Sequence, residues 1–378
     1  MRVGNIFPPT KIAQEYINLG VFLKDPDDKV HFRFLCFFEF GLAYAMSEFP
    51  DFKDFVLNED TFLQYINEII YYTGLNRAET EILEKIISRM DFAFEELNGM
   101  VYAIGRNIDD TFNTNQSILS RISSEDLLAS LPAKQTEEDE NRQGDLKIER
   151  SHERRPEVIE RKESQGHLND LADLLRLAMN VLKNSEEVQK PGVKLSSYVK
   201  ILRNSISYAL LVFAIANRQV QRKDISEEHL QELNIIIRFL PYLHQQYLSN
   251  NLASLKLTEI IKDKIDEDIA SIKEKRISEF EQYLSVFLYS DFKGIRHKDI
   301  IKEFLNRINR AYITDISLLN LVNYYYKSKS PEDDNFFIER LTDMYVRANP
   351  NSKRTKSQIL QDFKQKKQVI LREQTKLS

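Results

Sequence analysis

The amino-acid sequence predicts an all-α fold, organised as two helical lobes joined by a charged linker. Gly and Pro are scarce, at ten each in 378 residues, whereas β-proteins need many tight turns that use both residues. Apolar residues recur at steps of three and four in both halves of the chain, which is the period of an amphipathic helix. A length of 378 residues also exceeds the usual size of one domain, so two domains are expected.

The first lobe is predicted over residues 1–131. Thr10 and Asp60 are suitable N-caps, and Asn76 with Glu79 has the spacing of a capping box. Pro50 ends one of the helices. These signals place helices at about residues 10–24, 27–49, 61–72, 76–90, 91–104 and 117–131.

Two apolar runs, Phe34–Met46 and Ile206–Ala216, are predicted to be buried helices. Both are shorter than the ~20 residues that span a bilayer, so no membrane insertion is expected. The only cysteine, Cys36, lies in the first run and is expected to be buried as a small apolar side chain. The single cysteine and the lack of a leader-like apolar start predict a cytoplasmic protein.

Residues 132–166 differ from the rest of the chain in composition. They include the acidic run Glu137–Glu140 and contain no Phe, Tyr or Trp. Such a stretch cannot offset its ordering entropy by burying apolar surface. The sequence therefore predicts a flexible, charged linker at 132–166.

The second lobe is predicted over residues 167–349. Ser226 is a suitable N-cap, Gly294 ends the longest helix, and Pro331 suits a first helical position. These signals place helices at about residues 168–182, 196–218, 226–240, 256–289, 297–308, 315–327 and 331–345.

The predicted helix at 256–289 is unbroken and carries one apolar stripe beside a face dense in charge. Two interpretations stay open: the helix packs on its own lobe, or it engages a partner helix as a coiled-coil strand. The second interpretation assigns the contact with the partner helix to Leu257, Ile261, Ile265, Ile272, Phe280 and Leu284.

The C-terminal residues 350–378 are predicted to form a basic tail helix. The net charge of −5 offers no global attraction to nucleic acid, so any such contact must be local. The residues predicted to contact nucleic acid or another polyanion are Lys353, Arg354, Lys356, Lys364, Lys366, Lys367 and Arg372. The alternative is a solvated helix that balances the acidic remainder of the chain.

Common catalytic motifs are missing from the sequence. No glycine opens a P-loop, no His-Glu-x-x-His occurs, no Gly-x-Ser-x-Gly elbow occurs, and the six His residues are scattered. We therefore expect no metal and no cofactor, and an ordinary kinase, hydrolase or metalloenzyme is disfavoured.

Arg238 and His244 stand six positions apart on a predicted helix. This spacing resembles the Arg-x(4–6)-His motif of HEPN-type ribonucleases, which are all-α. The resemblance implies that the pair acts on a ribose 2′-hydroxyl and the scissile phosphate. The chain departs from the pattern, because Phe239 replaces a polar residue and Pro241 interrupts the helix. The alternative is a surface Arg and a His at a helix end.

A longer resemblance covers residues 195–237. An Arg-bearing segment, Leu195–Asn204, leads into the Ala-rich Ala209–Arg218, and Ile225-Ser226-Glu227-Glu228 opens the next helix. This order is similar to the helical lid of AAA+ ATPases of the MCM and MoxR kind. The ATPase core that should precede a lid is missing from the sequence, so ATP hydrolysis is not implied.

These observations predict a non-catalytic helical interaction or adaptor protein. It would bind a protein partner or itself, and it would join nucleic-acid machinery through its basic C-terminal region. Two alternatives stay open. One is a HEPN-like ribonuclease that uses Arg238 and His244, and the other is a structural subunit of a larger assembly.

Overall fold

The computed structural model describes residues 9–24, 29–102, 108–111, 166–190, 192–220, 227–271, 278–293, 297–328, 330–349 and 351–377. The all-α prediction is confirmed, because the described chain is helical apart from one short hairpin. The predicted linker, apart from its last residue Gly166, and the predicted helix at 117–131 lie outside the described residues.

The chain divides into two compact units. The first holds the described elements up to Glu79 and the beginning of one later helix, up to Leu177. The second holds the described residues from Thr80 to 111 and from Ala178 onward. The predicted first lobe, 1–131, is therefore shared between the two units.

The first unit begins with helix α1 and a hairpin. Helix α1 covers Pro9–Asn18 and is followed by strands β1 (Phe22–Lys24) and β2 (Val30–Phe32). Gly20 has a φ of 73°, a left-handed conformation that ends helices and that glycine adopts without strain. The predicted helix at 10–24 is therefore wrong beyond Asn18, and the next helix starts later than predicted because β2 precedes it.

Three further helices complete the described part of the first unit before residue 80. They are α2 (Leu35–Glu48), α3 (Pro50–Val56) and α4 (Ile66–Leu75), with a 3₁₀ turn at Phe62–Gln64. Helices α2 and α4 pack together, burying Ala43 and Met46 of α2. The Glu39 carboxylate accepts a 2.7 Å hydrogen bond from the Asn67 side chain, which fixes one side of α2 against α4.

The second unit is an assembly of helices. Its elements are α5 (Thr80–Ala93), α6 (Glu95–Val101), α7 (Ile108–Thr111), the end of α8 (Gly166–Asn184), α9 (Val193–Val220), α10 (Glu227–Leu252), α11 (Thr258–Ser271), α12 (Glu279–Lys293), α13 (Lys298–Arg307), α14 (Ala311–Lys327), α15 (Pro331–Ala348) and α16 (Lys356–Leu377). A 3₁₀ turn, Leu255–Leu257, precedes α11.

Helix α14 lies at the centre of this unit and is buried along most of its length. A polar network ties it to its neighbours. The Asp291 carboxylate of α12 accepts hydrogen bonds from Gln245 at 2.7 Å, Ser249 at 2.5 Å and the Tyr324 hydroxyl at 2.5 Å. Buried polar groups of this kind are tolerated when they are hydrogen-bonded. The network therefore fixes α10, α12 and α14 relative to one another.

The predicted unbroken helix at 256–289 is wrong. Helices α11 and α12 are separate and pack against each other. Helix α12 has its own N-terminal caps, since the Ser278 hydroxyl accepts from the Glu281 amide at 3.1 Å and Asp109 accepts from two further amides. Lys264 of α11 donates to Glu281 of α12 at 3.0 Å, which holds the two helices together.

One helix among the described residues, Val193–Arg218 within α9, is long and apolar enough to cross a membrane by length and composition alone. Half of its most apolar window is buried inside the chain. A buried core helix meets the same criterion, so the finding carries no further conclusion.

Candidate interaction surface

The two residues of the predicted ribonuclease motif both belong to α10. The side chain of Arg238 lies outside the described part of the chain. His244 is buried, 7% exposed, with its ring 6.5 Å from that of Phe280. Its Nε2 atom has no hydrogen-bond partner among the described residues. A general base must reach its substrate, so His244 is not placed to serve as a catalytic base for RNA cleavage.

Burial lowers the pKa of His244 to about 4. The imidazole is therefore neutral at pH 7. Its folded pKa lies below its ordinary value of about 6.5, so the unfolded chain takes up this proton first as the pH falls. The stability that the residue contributes is fully present above pH 6.5 and is lost as the pH falls from about 6.5 to 4.

We expect His244→Leu to remove this acid sensitivity. Near pH 7 the free energy of unfolding should change little, because an uncharged buried ring is replaced by an apolar side chain. At about pH 4.5 the variant should be more stable than the wild type by about 2 kcal/mol. Urea denaturation across this pH range checks the prediction. Equal pH slopes for the two proteins would contradict it.

The predicted partner-helix stripe is not a surface. Leu257, Ile261, Ile265, Phe280 and Leu284 are buried inside the chain. Apart from Leu257, in the 3₁₀ turn, they lie on α11 and α12, the two helices that pack against each other. Ile272 lies outside the described residues. The prediction of a partner-binding stripe is therefore wrong for these five, and the alternative, packing within the chain's own fold, is what the structure shows.

The basic C-terminal residues occupy different environments along α16 and in the segment just before it. Lys367 is buried, 6% exposed, and donates to the Tyr325 and Ser328 carbonyls at 2.8 and 2.9 Å, so it is not available to a polyanion. Arg354 pairs with Asp362 at 2.7 Å, and Lys356 pairs with Asp343. The remaining basic residues divide into Lys353 and Lys364, which are exposed, Lys366, which is half-buried, and Arg372, whose side chain is not described.

Among the described residues of the first unit, large apolar side chains of α1, the hairpin and α2 face solvent. Tyr44 is 57% exposed and Phe49 is 63% exposed. We call this set the aromatic face; it consists of Tyr16, Leu23, Val30, Phe32, Leu35, Phe37, Phe38, Phe40, Tyr44 and Phe49. The prediction that the run Phe34–Met46 is a buried helix is wrong, because only Ala43 and Met46 of α2 are buried.

Helix geometry explains this exposure. Ala43 and Met46 lie three positions apart on the side of α2 that faces α4. Phe37 and Tyr44 lie on the opposite side of α2, where both are exposed. Phe40 lies between the two sides: it is 44% exposed, and its ring centroid is 6.1 Å from that of Tyr71 of α4. A helix that is apolar all round but packed on one side must expose the other side.

Ring contacts connect the hairpin with α1 and with the start of α2. Phe32 of β2 stands opposite Phe22 of β1, with ring centroids 4.7 Å apart. The same Phe32 ring lies 5.7 Å from Phe38 of α2, and Tyr16 of α1 lies 5.3 Å from Phe22. The hairpin thus extends the exposed surface of α2 toward α1. Cys36, expected to be buried, is only partly covered.

No site for chemistry accompanies this surface among the described residues. No group of three His, Cys, Asp or Glu side chains is placed to hold a metal ion there. In the second unit, a cleft of about 330 Å³ is lined by Glu84, Ser88, Gly192, Ser197 and Lys200. Its charged side chains are engaged in ion pairs, Glu84 with Lys190 and Lys200 with Asp91.

Comparisons of the chain with models of protein families, with curated proteins and with solved structures found no match.

Proposed function

We propose that the chain is a non-catalytic helical interaction protein, and that the aromatic face of the first unit binds an apolar helix of a protein partner. The observation that supports this is the size of the exposed face. A large apolar side chain has about 200 Å² of surface, so the ten partly exposed side chains leave about 900 Å² in solvent. The largest apolar patch of a typical monomer is about 300–600 Å².

The chemistry of the face favours a protein partner. Glu39 is the only charged residue between Leu35 and Ser47, and it is bonded to Asn67 on the inner side of α2. Between Leu35 and Ser47, α2 has no Lys or Arg, and polyanion binding rests on Lys and Arg contacts to phosphate. A helix that lies in a membrane surface combines an apolar face with a Lys- and Arg-rich polar face, which α2 lacks.

An apolar helix of another protein can cover the aromatic face without needing any charged contact. About 800 Å² per partner is the usual size of a stable protein–protein interface, and aromatic residues are enriched in such interfaces. A role as structural subunit of a larger assembly would use the face in the same way. An association with nucleic-acid machinery through the C-terminal region has less support, since Lys367 is buried and Arg354 and Lys356 are paired.

The double variant Phe40→Gln/Tyr44→Gln tests the proposal. Tyr44 is 57% exposed, and Phe40 is 44% exposed with its ring 6.1 Å from that of Tyr71, so circular dichroism first checks that the variant folds. The folded variant should lose the proteins that the tagged wild type retains in affinity purification. The matched control is Leu255→Gln, which changes an exposed apolar residue of the second unit, 70% exposed. Retention of the same proteins by all three chains would refute the proposal.

A further inference from the structure

We infer that the partner helix is α2 of a second copy of this chain, packed antiparallel across a two-fold axis that passes between Phe40 and Gly41. This inference rests on the proposed function and names the occupant of the aromatic face. A two-fold contact requires a surface that is complementary to itself. Three features of α2 meet that requirement.

The first feature is Gly41, an exposed glycine in the middle of a helix. Glycine costs about 1 kcal/mol relative to alanine at such a position. No described residue requires a glycine here, because Gly41 has helical backbone and a Cβ added there would meet no described atom within 4 Å outside the helix's own backbone. A helix gains from such a glycine where another helix must approach closely. No described residue makes that close approach to Gly41, which α2 of a second copy would make.

The second feature is the position of the aromatic side chains around Gly41. In an antiparallel pair centred between residues 40 and 41, Phe40 of one copy stands opposite Gly41 of the other. Phe37 of each copy then stands opposite Tyr44 of its partner. The Phe40 side chain of each copy therefore faces the space left by the missing side chain of Gly41, and Phe37 faces Tyr44. Helices in such contact lie about 8–10 Å apart. The same helix thus supplies both the large side chains and the space that receives them.

The third feature is the charge at the two ends of the stripe. Arg33, just before α2, and Glu48, its last residue, are both exposed. They lie at equal distances in sequence from the same midpoint, so antiparallel pairing brings Arg33 of one copy to the level of Glu48 of the other. Opposite charges at the rim favour this register, and a parallel pair would instead place like charges side by side.

Analytical ultracentrifugation of the full chain gives the first test. We expect a wild-type dimer, and we expect Gly41→Leu to raise its dissociation constant by about tenfold or more. Leucine is a better helix former than glycine, and its Cβ at this exposed position meets no described atom within 4 Å, so the thermal stability of the monomer should stay equal or rise. Weaker association therefore cannot be ascribed to unfolding. A dimer of unchanged affinity in Gly41→Leu would overturn the inference.

Crosslinking gives the register. Cys36 is the only cysteine, so Cys36→Ser provides a background for single-cysteine variants. Gly41→Cys lies at the axis and should form an intermolecular disulfide on mild oxidation, whereas two copies of Glu48→Cys are about 22 Å apart in the antiparallel pair and should not. Efficient crosslinking of Glu48→Cys would show a parallel pair and overturn the inference.

Failure of the inference and failure of the proposed function are distinguishable. A monomeric wild type whose retained proteins are lost in Phe40→Gln/Tyr44→Gln would overturn the second copy as occupant and leave the proposed function standing. A monomeric wild type that co-sediments with anionic lipid vesicles through the same residues would overturn both.

Discussion

Replacing Asp109 with alanine is expected to destabilise the second unit by about 4 kcal/mol, the largest effect of any single substitution considered for this chain. The Asp109 carboxylate is buried, with the residue 5% exposed. It accepts hydrogen bonds from the Glu279 and Phe280 amides at 2.9 and 3.0 Å and from the Tyr312 hydroxyl at 2.8 Å. Alanine removes the acceptor of all three of these hydrogen bonds, two of which are buried.

The position of Asp109 adds to this cost. Its negative charge lies at the N-terminus of α12, where the helix dipole favours an anion. Glu279 of α12 in turn accepts from the Asn309 and Arg310 amides at 3.0 and 3.1 Å, next to the start of α14. The Asp109 carboxylate thus caps the N-terminus of α12, and the Glu279 carboxylate connects α12 to the start of α14. Loss of the Asp109 carboxylate is expected to loosen the N-terminal ends of both helices.

Urea denaturation and hydrogen exchange at the first turn of α12 measure the effect. Asp109→Asn is the matched control, since its amide oxygen still accepts, and we expect it to cost about 2 kcal/mol. If Asp109→Ala unfolds at the same urea concentration as the wild type, the cap does not contribute to stability.

Lys367→Met is expected to release α16 from the second unit at a cost of about 3 kcal/mol. The buried ammonium group donates to two carbonyls and to Asp334, and its Nζ lies 4.6 Å from the centre of the Tyr325 ring. Methionine has a similar volume but cannot replace these bonds. Asp334 is partly exposed and can be rehydrated, which limits the cost.

Hydrogen exchange along α16 and limited proteolysis after α15 measure this release. Lys364→Met is the matched control: its side chain is exposed, and a surface change of this kind usually costs less than about 0.5 kcal/mol. The same protection in both variants would show that Lys367 does not anchor the helix.

Local periodicity was enough to predict the fold class, because helix formation depends on neighbours three and four positions away. It did not predict the hairpin, whose strands have only three residues each and form through the pairing of Phe22 with Phe32. Nor did it predict the break between α11 and α12, since the Asp109 cap is 170 residues away in the sequence. Contacts of such separation leave no periodic signal.

The aromatic face shows the same limit. The apolar composition of α2 is visible in the sequence, but which side of the helix has a neighbour depends on α4. Lys367 is a second case, since it stands among basic residues that look alike. Its spacing from the buried Ile359 and Phe363, at steps of four, is the one sign that it lies on the inner side of α16.

The Asp109 cap also bears on how the chain is made. A ribosome adds about 5–20 residues per second, so Tyr312, 203 residues after Asp109, emerges roughly 10–40 s later. Until Glu279 and Phe280 have been synthesised, 170 and 171 residues after Asp109, the carboxylate lacks all three of these donors. The Tyr312 hydroxyl becomes available last. A nascent chain that stops before Tyr312 therefore cannot complete the second unit, however stable its earlier helices are.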